Sequence, residues 1–177
     1  GETLVVGDTS YAFADAIVAS TKLFEAKGLS ADLGGFVTVS GDFGFRKLGA
    51  DLVAVATGVN VGITAGTAAS VTLTGARLGL KSGNGATVIE VRDGTFAANV
   101  AGLASVTAAA VRVQYSNASG TAAAGETLVV GDTTYTFADA IAASTTMFEA
   151  KGLSADLGGF VTVSGDFGFR KLGADLV

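Results

Sequence analysis

The stretch Phe24–Lys47, FEAKGLSADLGGFVTVSGDFGFRK, returns letter for letter at Phe148–Lys171. In the wider comparison, residues 1–53 and 125–177 differ at only five positions: Ser10/Thr134, Ala12/Thr136, Val18/Ala142, Lys22/Thr146 and Leu23/Met147. Gly125 therefore repeats Gly1 at an offset of 124, and the 177 residues hold one full period and the first part of the next. Self-similarity at a fixed period is the signature of units that cannot bury their own faces and are covered by their neighbours. It points to an array and away from a self-contained enzyme.

A shorter period lies inside the long one. Val37-Thr38-Val39-Ser40-Gly41 falls on Val71-Thr72-Leu73-Thr74-Gly75, and Phe43-Gly44-Phe45 on Leu78-Gly79-Leu80; Val106-Thr107-Ala108 and Val111-Arg112-Val113 take the same places in a third copy. Apolar and polar residues alternate in these runs, as half-buried strands require. Turn residues separate them at Gly34-Gly35, Leu48-Gly49-Ala50-Asp51 and Lys81-Ser82-Gly83-Asn84-Gly85. Before the first copy, Thr3–Val6 and Thr9–Phe13 flank Gly7-Asp8, a two-residue hairpin signal of the primed-turn kind. Asp15–Lys22 reads as a short helix or loop. The units are then 1–22 (hairpin insert), 23–51, 52–86 and 87–115 (three copies of roughly 30–36 residues), 116–124 (a loop of small residues), and 125–177 as the start of the next repeat.

The expected fold is all-β: a β-solenoid of stacked coils with one hairpin insert per 124 residues. Phe43, Leu78 and Val111 would form one interior ladder and Phe45, Leu80 and Val113 another, with Gly44 and Gly79 at outward or bend positions between inward residues. Four coils per period would advance about 19 Å at the spacing of neighbouring strands. Tandem antiparallel β-sandwich domains are the alternative, since short strands at this spacing fit them as well.

Composition narrows the chemistry. With no His and no Cys, Ser-His-Asp and Cys-His nucleophile systems and zinc sites are excluded. A net charge of −5, with scattered Lys and Arg, argues against a nucleic-acid partner. No run approaches the roughly 20 apolar residues of a membrane-spanning helix. Oxygen-ligand chemistry remains. Asp8, Asp42, Asp51 and Asp93 sit beside turn residues and are the candidates for calcium, though neither an EF-hand loop nor the glycine-rich calcium nonapeptide occurs. Asp32, Asp42 and Glu25 are the candidates for a glycosidase carboxylate pair; their copies Asp156, Asp166 and Glu149 recur, and Asp beside Gly in a β protein is ordinarily turn chemistry. Phe24, Phe36, Phe43 and Phe45 could stack on sugars, but their alternation with small residues favours core burial. Arg92-Asp93-Gly94 reads as a turn and Asn117-Ala118-Ser119 matches a glycosylation acceptor. No catalytic residue is expected.

The lines Glu25–Phe45, Leu52–Val59 and Ala76–Leu80 resemble the tandem repeats of very large bacterial surface and secreted proteins, over about residues 23–115 and 147–177. The resemblance implies an adhesin-like or matrix-forming role outside the cell, and brings no catalytic residues. The expected function is a structural segment of a long exported repeat protein forming a fibre, stalk or matrix. Its partners would be neighbouring repeats of the same chain or identical chains, with a polysaccharide or cell surface beyond them. A carbohydrate-binding or -cleaving solenoid and a calcium-stiffened adhesin array are the alternatives.

Overall fold

The computed structural model describes residues 3–12 and 19–172, and the backbone of 175 and 176. Residues 15–18 of the Asp15–Lys22 segment read as helix or loop lie outside the described residues, and its remainder is a turn at 19–20 followed by the start of a strand at Thr21; its copy runs from Asp139 to Thr146 as a loop that enters a strand at Thr145. All regular structure among the described residues is β. The strands are β1 (Thr3–Val6), β2 (Thr9–Ala12), β3 (Thr21–Leu33), β4 (Val37–Leu48), β5 (Asp51–Ala65), β6 (Ala69–Gly83), β7 (Ala86–Val100), β8 (Ala104–Ser116), β9 (Thr127–Val130), β10 (Thr133–Thr136), β11 (Thr145–Leu157), β12 (Val161–Leu172) and β13 (Asp175–Leu176).

Nine of these form one open antiparallel sheet in the order β13-β12-β11-β8-β7-β6-β5-β4-β3. This differs from the stacked coils expected. The period of roughly 30–36 residues is the length of one long hairpin, and its copies β3–β4, β5–β6 and β7–β8 lie side by side in a meander. The physical reason is that a turn of only two or three residues joins each of the strands β3 to β8 to the next and sends the chain straight back, whereas parallel stacking needs a crossover. Asn84 and Gly85 show the device: both have positive φ, 51° and 78°, as a two-residue primed turn requires.

The sheet does not stop at the repeat boundary. β11, the copy of β3, pairs with β8 of the first repeat, from Thr146↔Tyr115 to Asp156↔Ser105. Beyond it, β13 meets β12 through Leu172↔Asp175 and Lys171↔Leu176, the register of Leu48↔Asp51 and Lys47↔Leu52 one repeat earlier. Register breaks occur partway along the strands, at Ala26/Leu29, Ser40/Asp42, Ala56/Val59, Val91/Gly94 and Ala150/Leu153. Each extra residue bends its strand and sharpens the local twist.

Cross-strand pairing shows which residues share a face. Phe43, Ala56, Leu78, Val91, Val113, Phe148 and Phe169 form one row. The row contains residues of both expected ladders, with Val113 taking the place expected of Val111, which instead pairs with Gly94 and Ala150. This face is the open one: Phe24, Phe45 and Val113 are exposed, as is Phe36 in the turn between β3 and β4. Gly44 and Gly79, expected at outward or bend positions, are buried and belong to the opposite, covered face. What covers that face is the second hairpin, β9–β10, together with the loop that follows it.

Candidate functional site: the hairpin seat

Two hairpins of nearly the same sequence occur, one per repeat. β9–β10 pairs Thr127↔Thr136, Leu128↔Tyr135, Val129↔Thr134 and Val130↔Thr133, and β1–β2 repeats that register with Thr3↔Ala12, Leu4↔Tyr11, Val5↔Ser10 and Val6↔Thr9. In each, the first turn residue is a glycine at positive φ, 59° at Gly7 and 57° at Gly131, a conformation that disfavours a side chain. Alternation along β9 and β10 then puts Leu128, Val130, Thr133 and Tyr135 on one face.

That face is pressed onto β4, β5 and β6 of the first repeat. Leu128, Val130, Tyr135, Phe137 and Ile141 join Val55, Val88 and Ala122 in the buried core. Full burial of such side chains contributes roughly 1.5–3 kcal/mol each. Two glycines make the close approach feasible. A Cβ on Gly44 would stand 2.8 Å from the Val130 Cβ, and a Cβ on Gly79 would stand 2.2 Å from the Tyr135 ring. The Tyr135 ring also meets Phe137 edge to face, at 5.3 Å between centroids.

Polar contacts fix the register. Glu90 is fully buried. Its Oε2 accepts from the Tyr135 hydroxyl at 2.6 Å, and its Oε1 accepts from Arg112 Nε and Gln114 Nε2, each at 2.8 Å. Arg112 reaches on to Asp139 Oδ2 at 2.7 Å. Arg92 donates to the Thr136 carbonyl at 3.0 Å, with its guanidinium 5.4 Å from the Tyr135 ring centroid. Lys81 bonds Glu126 and lies 5.8 Å over the Phe137 ring. At the tip, Glu25 Oε1 accepts from the Asp132 amide at 2.9 Å and the Thr133 hydroxyl at 3.1 Å, and Lys27 pairs with Asp132 at 2.8 Å.

The electrostatics follow from this packing. Burial, reinforced by the bond to Glu90, pushes the Tyr135 hydroxyl well above its ordinary pKa, so it stays a donor. Burial would lower the pKa of Arg112, but its bonds to Asp139 and Glu90 outweigh that and raise it. Burial likewise works against ionised Glu126; the bonds from Lys81 and the Ala123 amide prevail and hold it below the usual carboxylate range. Asp132 is lowered, and Lys27 raised, chiefly by their mutual bond.

The acids singled out from sequence do other things. Asp42 Oδ1 accepts from the Gly28 amide at 2.7 Å, holding the bulge in β3, and Asp166 does the same for Gly152 at 2.8 Å. Asp32 accepts from the Gly35 amide at 2.6 Å within a turn. Glu25 holds the hairpin tip. Asp93 pairs with Arg92, and Arg92-Asp93-Gly94 is a bulge inside β7, with Asp93 at φ 68°, where a turn was expected. Asp8 sits at the turn of β1–β2. Asp51 lines an open cleft of about 450 Å³ with Arg46 and Lys81, the only carboxylate among the described residues there. Asp8, Asp42, Asp51 and Asp93 are thus not brought together, and no group of three or more acids among the described residues converges on a metal-sized site. Asn117 spends its side chain on the loop, accepting from the Thr87 amide and donating to the Gly85 carbonyl.

The residues that build the seat, Glu90, Arg92, Arg112, Gln114 and Tyr135, escape a reading based on hydrophobic pattern. A signal was present: in a chain with only 15% charged residues, Glu90-Val91-Arg92 and Arg112-Val113-Gln114 place polar groups at alternate positions of two adjacent strands. No helix among the described residues is long and apolar enough to cross a membrane. Compared with family models, curated proteins and solved structures, the chain matches none.

Proposed function

We propose that this chain is a structural segment of a long exported bacterial repeat protein, whose repeats join into an extracellular fibre, stalk or matrix. The observation that carries the reading is the double junction between repeats. The second repeat extends the sheet of the first through β11 on β8, and its hairpin covers the face of the first through β9–β10. Each unit is completed by the next, so stability grows with repeat number and open edges are confined to the ends. Adhesion then follows from length and multivalency.

Six strands, β3 to β8, separate one repeat's entry into the sheet from the next. At about 4.8 Å per strand, a period advances about 29 Å across the sheet, against the 19 Å or so of four stacked coils. The test is to extend the chain by one and then two further 124-residue periods. The melting temperature should rise with each period, and electron micrographs should show particles lengthening with a repeat near that spacing. A constant melting temperature, or particles that do not lengthen, would sink the reading.

A further inference from the structure

We propose that the open face of the sheet is a contact surface for a second copy of this chain, so that two sheets pack face to face with their apolar sides inward. The inference goes beyond the array reading, which concerns the sheet's edges and its covered face.

Four rows of cross-strand partners cross β4 to β8 on the open face without a charge. One runs from Phe43 to Val113, and beside it lie Phe45, Ala54, Leu80, Ile89 and Tyr115. Beyond the bulges come Val39, Val61, Leu73, Phe96 and Ala108, and a fourth row from Val37 to Val106. The bulges do not exchange the faces: a Cβ on Gly94 would meet Leu73 from the far half at 2.6 Å and Ala76 from the near half at 3.0 Å. Of the charged residues in β5 to β8, Arg77, Lys81, Glu90, Arg92 and Arg112 alternate onto the covered face. Asp51 stands at a strand end and Asp93 in a bulge. The opposite face is finished, by the hairpin in the near half and by a row holding Thr38, Thr72 and Thr107 in the far half.

The exposure is not an edge effect. Strands β5 to β8 each have a neighbour on both sides, yet Ile63, Val71, Val113 and Tyr115 are 41%, 40%, 40% and 43% exposed. Nor does a period hold a segment to cover this face. Thr145 repeats Thr21 at the offset of 124, and all of 21–144 is placed: six strands in the sheet, and the hairpin with its flanking loops on the opposite side. A further period adds strands at the edge and a hairpin to the side already covered.

Area and charge identify the occupant. At about 4.8 Å between strands and about 3.3 Å per residue, the six strands present roughly 1,200 Å². That exceeds both the largest apolar patch of an ordinary monomer, about 300–600 Å², and the roughly 800 Å² each partner gives to a stable interface. Antiparallel sheets commonly bury one face, and two such faces interdigitate at about 10 Å. A face without charge meets its own copy with no repelled pair, which suits a two-fold contact. Its relief suits one too: Ala54 and Ala56 leave a furrow along β5 between Phe43 and Phe45 of β4 and Leu78 and Leu80 of β6. Lipid is the poorer occupant, because an open sheet would leave its edge N–H and C=O groups unpaired in hydrocarbon.

Sedimentation equilibrium at about 100 μM, above the dissociation constants such areas give, should show twice the 17.4 kDa chain mass. Ile63→Lys with Val113→Lys puts unpaired charges into the contact and should raise the dissociation constant at least about a hundredfold. Thr107→Lys, on the opposite face, should leave it unchanged. A single-chain mass throughout overturns the proposal, and so does an association that survives the double substitution. If the double variant does not fold, single cysteines in this cysteine-free chain decide. Maleimide labelling should slow with rising protein concentration at Val113→Cys and not at Thr107→Cys; equal behaviour overturns the proposal. So does a chain that stays monomeric and binds phosphatidylcholine vesicles, which identifies lipid as the occupant. Monomers here, with a melting temperature that still rises with added periods, remove the pairing of sheets and leave the array reading standing.

Discussion

The two hairpins are nearly one sequence in two environments. β9–β10 lies under its neighbours, with Tyr135 bonded to a buried carboxylate; β1–β2 has the same pairing and turn, yet its apolar side chains face solvent. The strands beneath tell the same story. β4 and β12 are identical in sequence, and Gly44 is buried under Val130 where, among the described residues, a Cβ on Gly168 would meet only Phe148 and Glu149 of the neighbouring strand. An isolated two-stranded hairpin is at best marginally stable in water. The difference therefore teaches that the hairpin's apolar residues serve the preceding repeat, and that each repeat is finished by residues encoded after it.

The largest expected break in this comparison is at the tyrosines. Tyr135→Ala removes a buried ring and leaves the Glu90 Oε2 atom without its donor, so urea denaturation should show a loss of about 3–5 kcal/mol. Tyr11→Ala should stay within about 0.5 kcal/mol, as surface changes do. Equal losses would mean that the first hairpin is buried in solution too. Next come the identical strands: Gly44→Ala forces a methyl into Val130 and should cost about 1–3 kcal/mol, whereas Gly168→Ala should change stability by no more than about 0.5 kcal/mol.

Smaller effects sharpen the electrostatic side of the seat. Glu126 is held below its unfolded pKa, so its contribution is present above about pH 4.3 and is lost as pH falls through the lower folded value. The stability gap between the native chain and Glu126→Gln, about 1 kcal/mol or less for a partly exposed pair, should close on acidification. A gap that widened in acid would contradict the assignment. The smallest effect belongs to the exposed Lys27–Asp132 pair. Its contribution is level across neutral pH; it is lost in alkali as pH rises through the raised Lys27 value, above about 10.4, and in acid as pH falls through the lowered Asp132 value, below about 3.9. Hydrogen exchange at the Asp132 amide should quicken slightly in 1 M salt, while exchange in β6 and β7 stays unchanged.

Much of the secondary structure was legible because it depends on neighbours in sequence. Alternation marked the strands, Gly7-Asp8 and Asn84-Gly85 marked turns, and the returned stretch marked the junction between repeats. The sheet topology was less legible: the period of roughly 30–36 residues belongs equally to a coil and to a long hairpin, and only the pairing of β3 with β4 and of β4 with β5 distinguishes them. The seat was the least legible. Its strongest members are a glutamate, two arginines and a glutamine, which hydrophobic patterning assigns to solvent, and two glycines, which it assigns to bends.

By itself, then, the sequence determined that the chain is β-structured, that it repeats every 124 residues and that a hairpin opens each repeat. Only the tertiary structure decided which face is inside. A strand alternates with a period of two, and here both alternating sets, Phe43 and Phe45 on one side and Gly44 and Val55 on the other, are free of charge and able to be buried. The choice falls to whatever lies across them. Leu4 and Leu128 make the physical reason plain: burial is set by the covering surface, and the covering surface of each repeat comes from the next.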